Sequence, residues 1–235
     1  ELARDLVHQD DWGASQEAMR TLVARTHKEI TLEKRYVRKD GSVFWGLVTI
    51  SPLWGGGGHP EFYLAVVRDI TMRKKAEEKL LLAAKVFENT IEGIVVTDTH
   101  GTIEQVNPGF TTITGYSAEE AVGGNPRILK SDRHPQHFYS QMWTRLLEEG
   151  HWSGEIWNRR KNGESYPEWL TISAVRNEAG QPTNYVSIFH DITELKRQQD
   201  ALEYQAQHDA LTGLPNRILL GDRLRMALAQ LERSG

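Results

Sequence analysis

The chain has no cysteine, which excludes disulfides, thiolate metal sites and cysteine nucleophiles. It also lacks a long hydrophobic run: the greasiest patch, Leu80–Ala84, falls far short of the roughly 18 apolar residues a membrane span needs. No basic leader precedes an apolar stretch near Glu1, so no signal peptide is expected. Basic residues are not in excess. The net charge is -4 over 235 residues, no basic face stands out, and nucleic acid is not an expected partner. What is present, 39% hydrophobic and 26% charged residues, is the composition of a soluble globular protein, expected in the cytoplasm, with length for one large domain or two small ones.

The chain repeats itself. RKDGSVFWGLVTIS, Arg38–Ser51, returns as RKNGESYPEWLTIS, Arg160–Ser173. The offset from Gly41 to Gly163 is 122, and it is unchanged from Asp69 to Asp191 in VVRDITMRK and IFHDITELK. An ungapped register over turns and strands identifies two copies of one domain. In each copy Arg-Lys-(Asp/Asn)-Gly supplies a tight turn, its Gly tolerating positive φ. Strands are expected at Glu33–Arg38 and Ser42–Leu53, and at Glu155–Arg160 and Glu164–Val175. A second turn, Gly55–Pro60 or Asn177–Pro182, leads to a third strand, Phe62–Ile70 or Asn184–Ile192. The second copy adds short strands Gly93–Thr99 and Thr102–Asn107 and a helix over Pro135–Glu149, with Phe138, Met142, Leu146 and Leu147 on one face.

The segment EGIVVTDTHGTIEQVNPGFTTITGYSAEE, Glu92–Glu120, with NRRKNGESY and YVSIFHDITELK further on, resembles a PAS domain with its C-terminal PAC segment. The resemblance covers about 85–197. It implies an α+β fold: an antiparallel five-stranded sheet with small flanking helices, the copies linked by amphipathic, coiled-coil-like helices. The expected organisation is a partial PAS/PAC domain at 1–71 whose leading strands would lie before Glu1, a linker helix at 72–90, a complete domain at 85–193 and a signalling helix at 194–208.

Positions recur near the 3.5 spacing of a coiled-coil seam after each Asp-Ile-Thr: apolar Ala76, Leu80, Ala83 and Phe87, then Leu195, Leu202 and the polar Asp209, with Gln199 and Ala206 in the alternate register. A homodimer through these helices and the PAS domains is expected. The tail HDALTGLPNRILLGDRLRMAL, from His208, resembles the opening of a GGDEF domain, which makes cyclic di-GMP from two GTP. The motif lies on Asp209, Leu211, Thr212, Gly213, Leu214, Pro215, Asn216 and Arg217, followed by a helix expected at about 216–233. The family's metal-binding acids and its Gly-Gly-(Asp/Glu)-Glu-Phe loop would come later, so no catalysis is expected of this stretch. The parent protein is expected to be a diguanylate cyclase, with or without a phosphodiesterase domain.

Differences between the copies suggest where a small-molecule or redox ligand would bind. Asn158 stands where the first copy has Tyr36. Around NRRK the second copy resembles flavin-binding PAS domains, the blue-light LOV sensors and the redox sensors of nitrogen-fixation and aerotaxis regulators. That resemblance implies FAD, with the Asn158 amide both donating to and accepting from the ring edge, Trp143 beside the ring, and Arg127 and Lys130 at the phosphates. Asn125 opens the segment NPRILK, where a LOV domain carries Asn-Cys-Arg-Phe-Leu-Gln. Pro126 takes the cysteine's place, so a covalent photoadduct is excluded. Glu168 stands where LOV domains carry a second Asn, unfavourable there unless protonated or turned outward. Haem, with His134 or His137 as axial ligand, another small ligand, or no ligand at all, in which case the PAS copies are dimerisation spacers, stay open. The acid pairs Glu119/Glu120 and Glu148/Glu149 read as solvated helix faces, and no metal site is expected.

Overall fold

The computed structural model describes residues 5–24, 28–54, 60–209, 212–217 and 219–221. They fall into two compact units, Glu1–Lys85 and Val86–Gly235. In the first, β1 (Ile30–Val37), β2 (Val43–Trp54) and β3 (Pro60–Asp69) form an antiparallel meander in the order β1-β2-β3. The first turn closes as its residues predict: Gly41 has φ 81°, and the Asp40 carboxylate accepts from Ser42 N–H at 2.9 Å. Of the second turn, residues 55–59 lie outside the described ones.

Helix α1 (Trp12–Val23), not among the expected elements, packs on this sheet. Its Leu22 is buried with Val48 and Ile50 of β2, and Met19, Ile30, Leu32 and Tyr36 pack around them. Asp11, just before the helix, ties it to β1: the carboxylate accepts from Arg35 N–H at 2.7 Å and from the Arg35 guanidinium, also at 2.7 Å. Strand β3 is exposed along nearly its whole length.

The second unit is larger. Its sheet runs β5-β4-β8-β7-β6, where β4 is Gly93–Asp98, β5 Ile103–Val106, β6 His151–Arg159, β7 Ser165–Arg176 and β8 Pro182–Asp191. All of its pairings are antiparallel. Helices α3 (Pro108–Thr114), α4 (Ala118–Ala121) and α5 (Gln136–Glu149) are inserted between β5 and β6. Side chains of one sheet face, including Val95, Ile103, Ile156 and Phe189, form one core with Phe110, Leu129, Met142 and Leu146. This is the expected α+β class, an antiparallel five-stranded sheet with flanking helices.

Asn107 organises the junction between β5 and α3. It is buried, and all four of its hydrogen-bonding sites are used. Its Oδ1 accepts from Ile94 N–H at 2.7 Å and Phe110 N–H at 2.9 Å, the latter a helix cap. Its Nδ2 donates to Glu92 O at 2.8 Å and Phe87 O at 3.2 Å.

Two helices follow the Asp-Ile-Thr motifs, α2 (Thr71–Asn89) and α6 (Thr193–Gln207), and neither has a buried residue. No described helix is long and apolar enough to cross a membrane. Three details differ from the sequence expectation. Leu147 is exposed, because α5 turns only Met142 and Leu146 fully into the core. Asp209 is not part of a helical seam: α6 ends at Gln207, and the Asp209 carboxylate accepts from Thr212 N–H and its hydroxyl in a turn. The helix expected at 216–233 lies mostly outside the described residues.

Candidate functional site

The second unit encloses a cavity of about 740 Å³ between the inner sheet face and α5 with the segment preceding it. That is within the volume range of small-molecule and cofactor sites. Val95, Leu129, Ile156, Leu170, Ile172 and Phe189 give apolar walls. Asn125, Arg127, Lys130, Trp143, Asn158 and Glu168 all line it too.

Their individual geometry separates wall from rim. Asn158, on β6, is 7% exposed, and Glu168, diagonal to it on β7, is 1% exposed. The Asn158 Nδ2 donates to Glu168 Oε1 at 2.8 Å, and the Tyr166 hydroxyl donates to Glu168 Oε2 at 2.7 Å. Tyr166 and Glu168 are two apart on one strand and therefore share a face. Burial pushes the Glu168 carboxyl up to about 7, against the opposite pull of the two hydrogen bonds. The protonated form is accordingly a populated species near neutral pH, and the group is not turned outward.

At the rim, Asn125 is a loop staple. Its Nδ2 donates to Gly101 O at 2.8 Å, and its Oδ1 accepts from Arg127 N–H and Nε at 3.1 and 3.0 Å. The Lys130 ammonium sits 4.5 Å from the Tyr139 ring centre, and its main chain bridges to Asn158. Trp143, on α5, is 40% exposed and meets Tyr185 edge-on at 5.8 Å. Arg127 and Lys130 therefore supply positive charge at one side of a largely apolar chamber.

His134 and His137 do not line the cavity. His134 Nε2 accepts the Trp157 N–H at 2.9 Å, and its ring stacks on Phe138, so that nitrogen serves to hold the loop to β6. Among lining residues the sequence reading passed over are Thr97, His100, Gln136, Tyr139, Tyr185 and Ser187. The alternation of Tyr185, Ser187 and Phe189 along β8 was a legible signal, since a strand turns every second side chain to one face.

The first unit has no counterpart to the Asn158–Glu168 pair. At the equivalent positions stand Tyr36 and Gly46, and a Cβ on Gly46 would lie 2.7 Å from the Tyr36 ring. The ring occupies the space a side chain on β2 would need, and it stacks on Phe44 at 5.4 Å.

A family model for the PAS domain matches residues 3–72 and 91–194. The nitrogen fixation regulatory protein of Klebsiella oxytoca is 34% identical over 106 residues, 45% of this chain and 21% of that protein. The oxygen sensor protein DosP of Escherichia coli is 29% identical over 207 residues, 86% of this chain and 25% of that protein. The chain thus spans about a fifth to a quarter of the length of these relatives. A solved PAS domain from Colwellia psychrerythraea aligns at 31% identity and a TM-score of 0.47, covering 49% of this chain and 98% of its own.

Proposed function

Because this chain belongs to the PAS domain family and carries two PAS domains in tandem, we propose that the second is the sensing copy. It holds a small ligand or redox cofactor, FAD in the reading the site favours, and passes its state on through α6. The observation that carries this reading is the Asn158–Glu168 pair in the wall of a cavity of about 740 Å³, where the first copy has Tyr36 over Gly46.

The residues fit a flat heteroaromatic ring with an imide-like edge. The Asn158 amide offers donor and acceptor together, and the Glu168 carboxyl offers a donor when protonated. The apolar walls exclude water, Trp143 offers a ring face, and Arg127 and Lys130 offer charge to an anionic tail. A flavin there would supply reversible electron transfer. The protein's part is to hold the ring edge and to exchange a proton at Glu168. The relatives named as a nitrogen fixation regulator and an oxygen sensor agree with a redox or gas signal.

The first copy is read as a ligand-free spacer, which the Tyr36 ring over Gly46 favours. Exposed apolar residues Leu80, Leu81, Leu82 and Val86 on α2, and Leu195 and Leu202 on α6, suit a homodimer. The motif residues 208–217, among which Asn216 Nδ2 donates to Ala206 O at 2.7 Å, are read as the start of a GGDEF domain. The parent protein would then make cyclic di-GMP from GTP under control of the second PAS domain.

The test is the visible absorption of the chain refolded with FAD, before and after dithionite. A retained two-banded yellow spectrum that bleaches on reduction, and is weakened in Asn158→Ala, supports the reading. A colourless chain sinks the flavin assignment. A nucleotide assay of the full-length parent, with GTP as substrate, tests the output.

A further inference from the structure

Glu168 is one end of a chain of contacts that leaves the cavity and finishes at the start of α6. The Tyr166 hydroxyl donates to Glu168 Oε2 at 2.7 Å. The Arg160 guanidinium lies over the Tyr166 ring, 4.0 Å from its centre. Arg160 also pairs with Asp191 and donates to Ile113 O at the end of α3. Asp191 Oδ1 in turn accepts the Thr193 N–H, in the first turn of α6, at 2.8 Å. The first copy keeps the far part of this path: Arg38 over Phe44 at 4.2 Å, Arg38 paired with Asp69 at 2.9 Å, and Asp69 accepting from Thr71 N–H at 2.9 Å. It lacks the near part, because Phe44 has no hydroxyl and Gly46 no carboxylate.

We propose that Tyr166 is a positioning residue that couples the charge on Glu168 to the first turn of α6 through Arg160 and Asp191. This rests on the reading of the second cavity as the sensing site and specifies how its state leaves it. A phenol that donates to a carboxylate carries more negative charge on its ring, which strengthens the attraction of a cation over its face. When Glu168 takes up a proton, that polarisation falls, as does the direct attraction between Glu168 and Arg160. Arg160 then holds Tyr166 less strongly against its competing partner Asp191, and the carboxylate that accepts from the first turn of α6 is re-weighted. A ligand that adds or withdraws negative charge beside Glu168 would move the carboxyl across this titration, which burial has already brought to about 7.

The groups that act on Glu168 from the packed elements are Asn158 on β6, Tyr166 on its own strand, Asp191 on β8 and Arg160 in the β6–β7 turn. Other ionisable groups that line the cavity are His100, Arg127, Lys130, Tyr139 and Tyr185. His190, next to Asp191, contacts Glu92 at 3.9 Å, so it is removed from the test.

The experiment uses the full, ligand-free chain with His190→Gln as background. Carbon-13 signals of the Glu carboxyls and the nitrogen-15 amide signals of Thr193 and Leu195 are followed from pH 5 to 9. The expected result is a Glu168 midpoint near pH 7 shared by the Thr193 amide. Tyr166→Phe should leave Glu168 titrating and shrink the Thr193 inflection to the part that the direct Glu168–Arg160 attraction carries. Glu168→Gln should abolish both. Phe44 in the first copy, under Arg38, indicates that a phenylalanine is accommodated in this setting. A Thr193 inflection that is undiminished in Tyr166→Phe, that survives in Glu168→Gln or that is missing from the background chain, or a Glu168 that does not titrate in this range, overturns the proposal. Because no ligand is added, none of these outcomes depends on whether FAD is retained.

Discussion

At one pair of positions the two copies make opposite choices. In the first, Tyr36 lies over Gly46. In the second, Asn158 bonds to a fully buried Glu168. The surrounding hairpin is the same, with Gly41 and Gly163 at φ 81° and 90° and the same Arg–Asp pairing beyond it. The difference therefore lies in what the interior is for. An aromatic ring over a glycine is a finished apolar contact with nothing left to offer a ligand. A buried amide–carboxyl pair costs stability on desolvation, and its side chains line an open chamber. Within one fold, packing is traded for polarity at two positions, as it would be for a site grafted onto a shared frame.

The largest expected effect comes from importing the polar residue into the packed copy. Gly46→Glu forces a Cβ to 2.7 Å from the Tyr36 ring and adds a carboxyl with no partner prepared for it. The first unit should lose about 3 kcal/mol, from overpacking and the buried charge together. Tyr36→Asn added to the same chain vacates the ring position and should recover part of that loss, so the two changes are strongly non-additive. Hydrogen exchange of β1 and β2 amides, corrected for intrinsic rates, reads this within the intact chain. Additive losses would mean that the two positions do not share a space.

Next in size is the pH dependence of the second copy. The Glu168 carboxyl is raised in the folded state from 4.5 to about 7. A folded value above the unfolded one means that the folded state binds the extra proton. Its contribution to stability is fully present below about pH 4.5 and is lost as pH rises through about 7. At 1.36 kcal/mol per pH unit the full loss is of order 3 kcal/mol. Glu168→Gln keeps an acceptor for Tyr166 and should flatten the profile, leaving the variant more stable than the parent at pH 8.5 and close to it at pH 5. Urea titration followed through β7 and β8 amide signals checks both ends. A parent whose stability is level between pH 5 and 8.5 would remove the charge change on which the comparison of the copies turns.

Much of this contrast was legible before any coordinates. The constant offset aligned Tyr36 with Asn158, and turn residues with alternating strands located both hairpins and the five-stranded sheet. All six candidate residues line one cavity, since the family resemblance that named them carries the fold with it. What escaped was set by long-range packing. Helix α1 carries no strong apolar stripe, and Leu22 finds its partners only on β1 and β2, distant in sequence. Leu147 fitted the helical stripe and yet faces outward, since the core is narrower than the stripe. Asp209 fitted a heptad, but its side chain finds donors in Thr212 and builds a turn, a choice open to Asp generally. The partnership of Glu168 with Tyr166 was within reach, the two lying on the same face of one strand, but their hydrogen bond depends on the depth to which both are buried.

The smallest effect tests the part that the copies share. Arg38–Asp69 and Arg160–Asp191 are the same pair in sequence, but the first side chains are 50% and 48% exposed and the second 17% and 26%. Water screens the first pair on both sides, so Asp69→Asn should cost less than about 1 kcal/mol. In the second pair, burial alone would raise the Asp191 carboxyl, but hydrogen bonds from Thr193 and Arg160 outweigh it and hold it below its ordinary value. Asp191→Asn should therefore cost about 2 kcal/mol, the scale of a hydrogen bond to a charged group, because it leaves the half-buried Arg160 only the more exposed Glu164 as counter-charge. An Asn at either position can still accept from the helix N–H, so the difference between the two losses isolates the ion pair from the cap. Equal losses at the two sites would place the value of the motif in helix capping. Unequal ones would show that only the second copy has drawn its Arg–Asp pair into the interior, at the point where its polar chain from the cavity arrives.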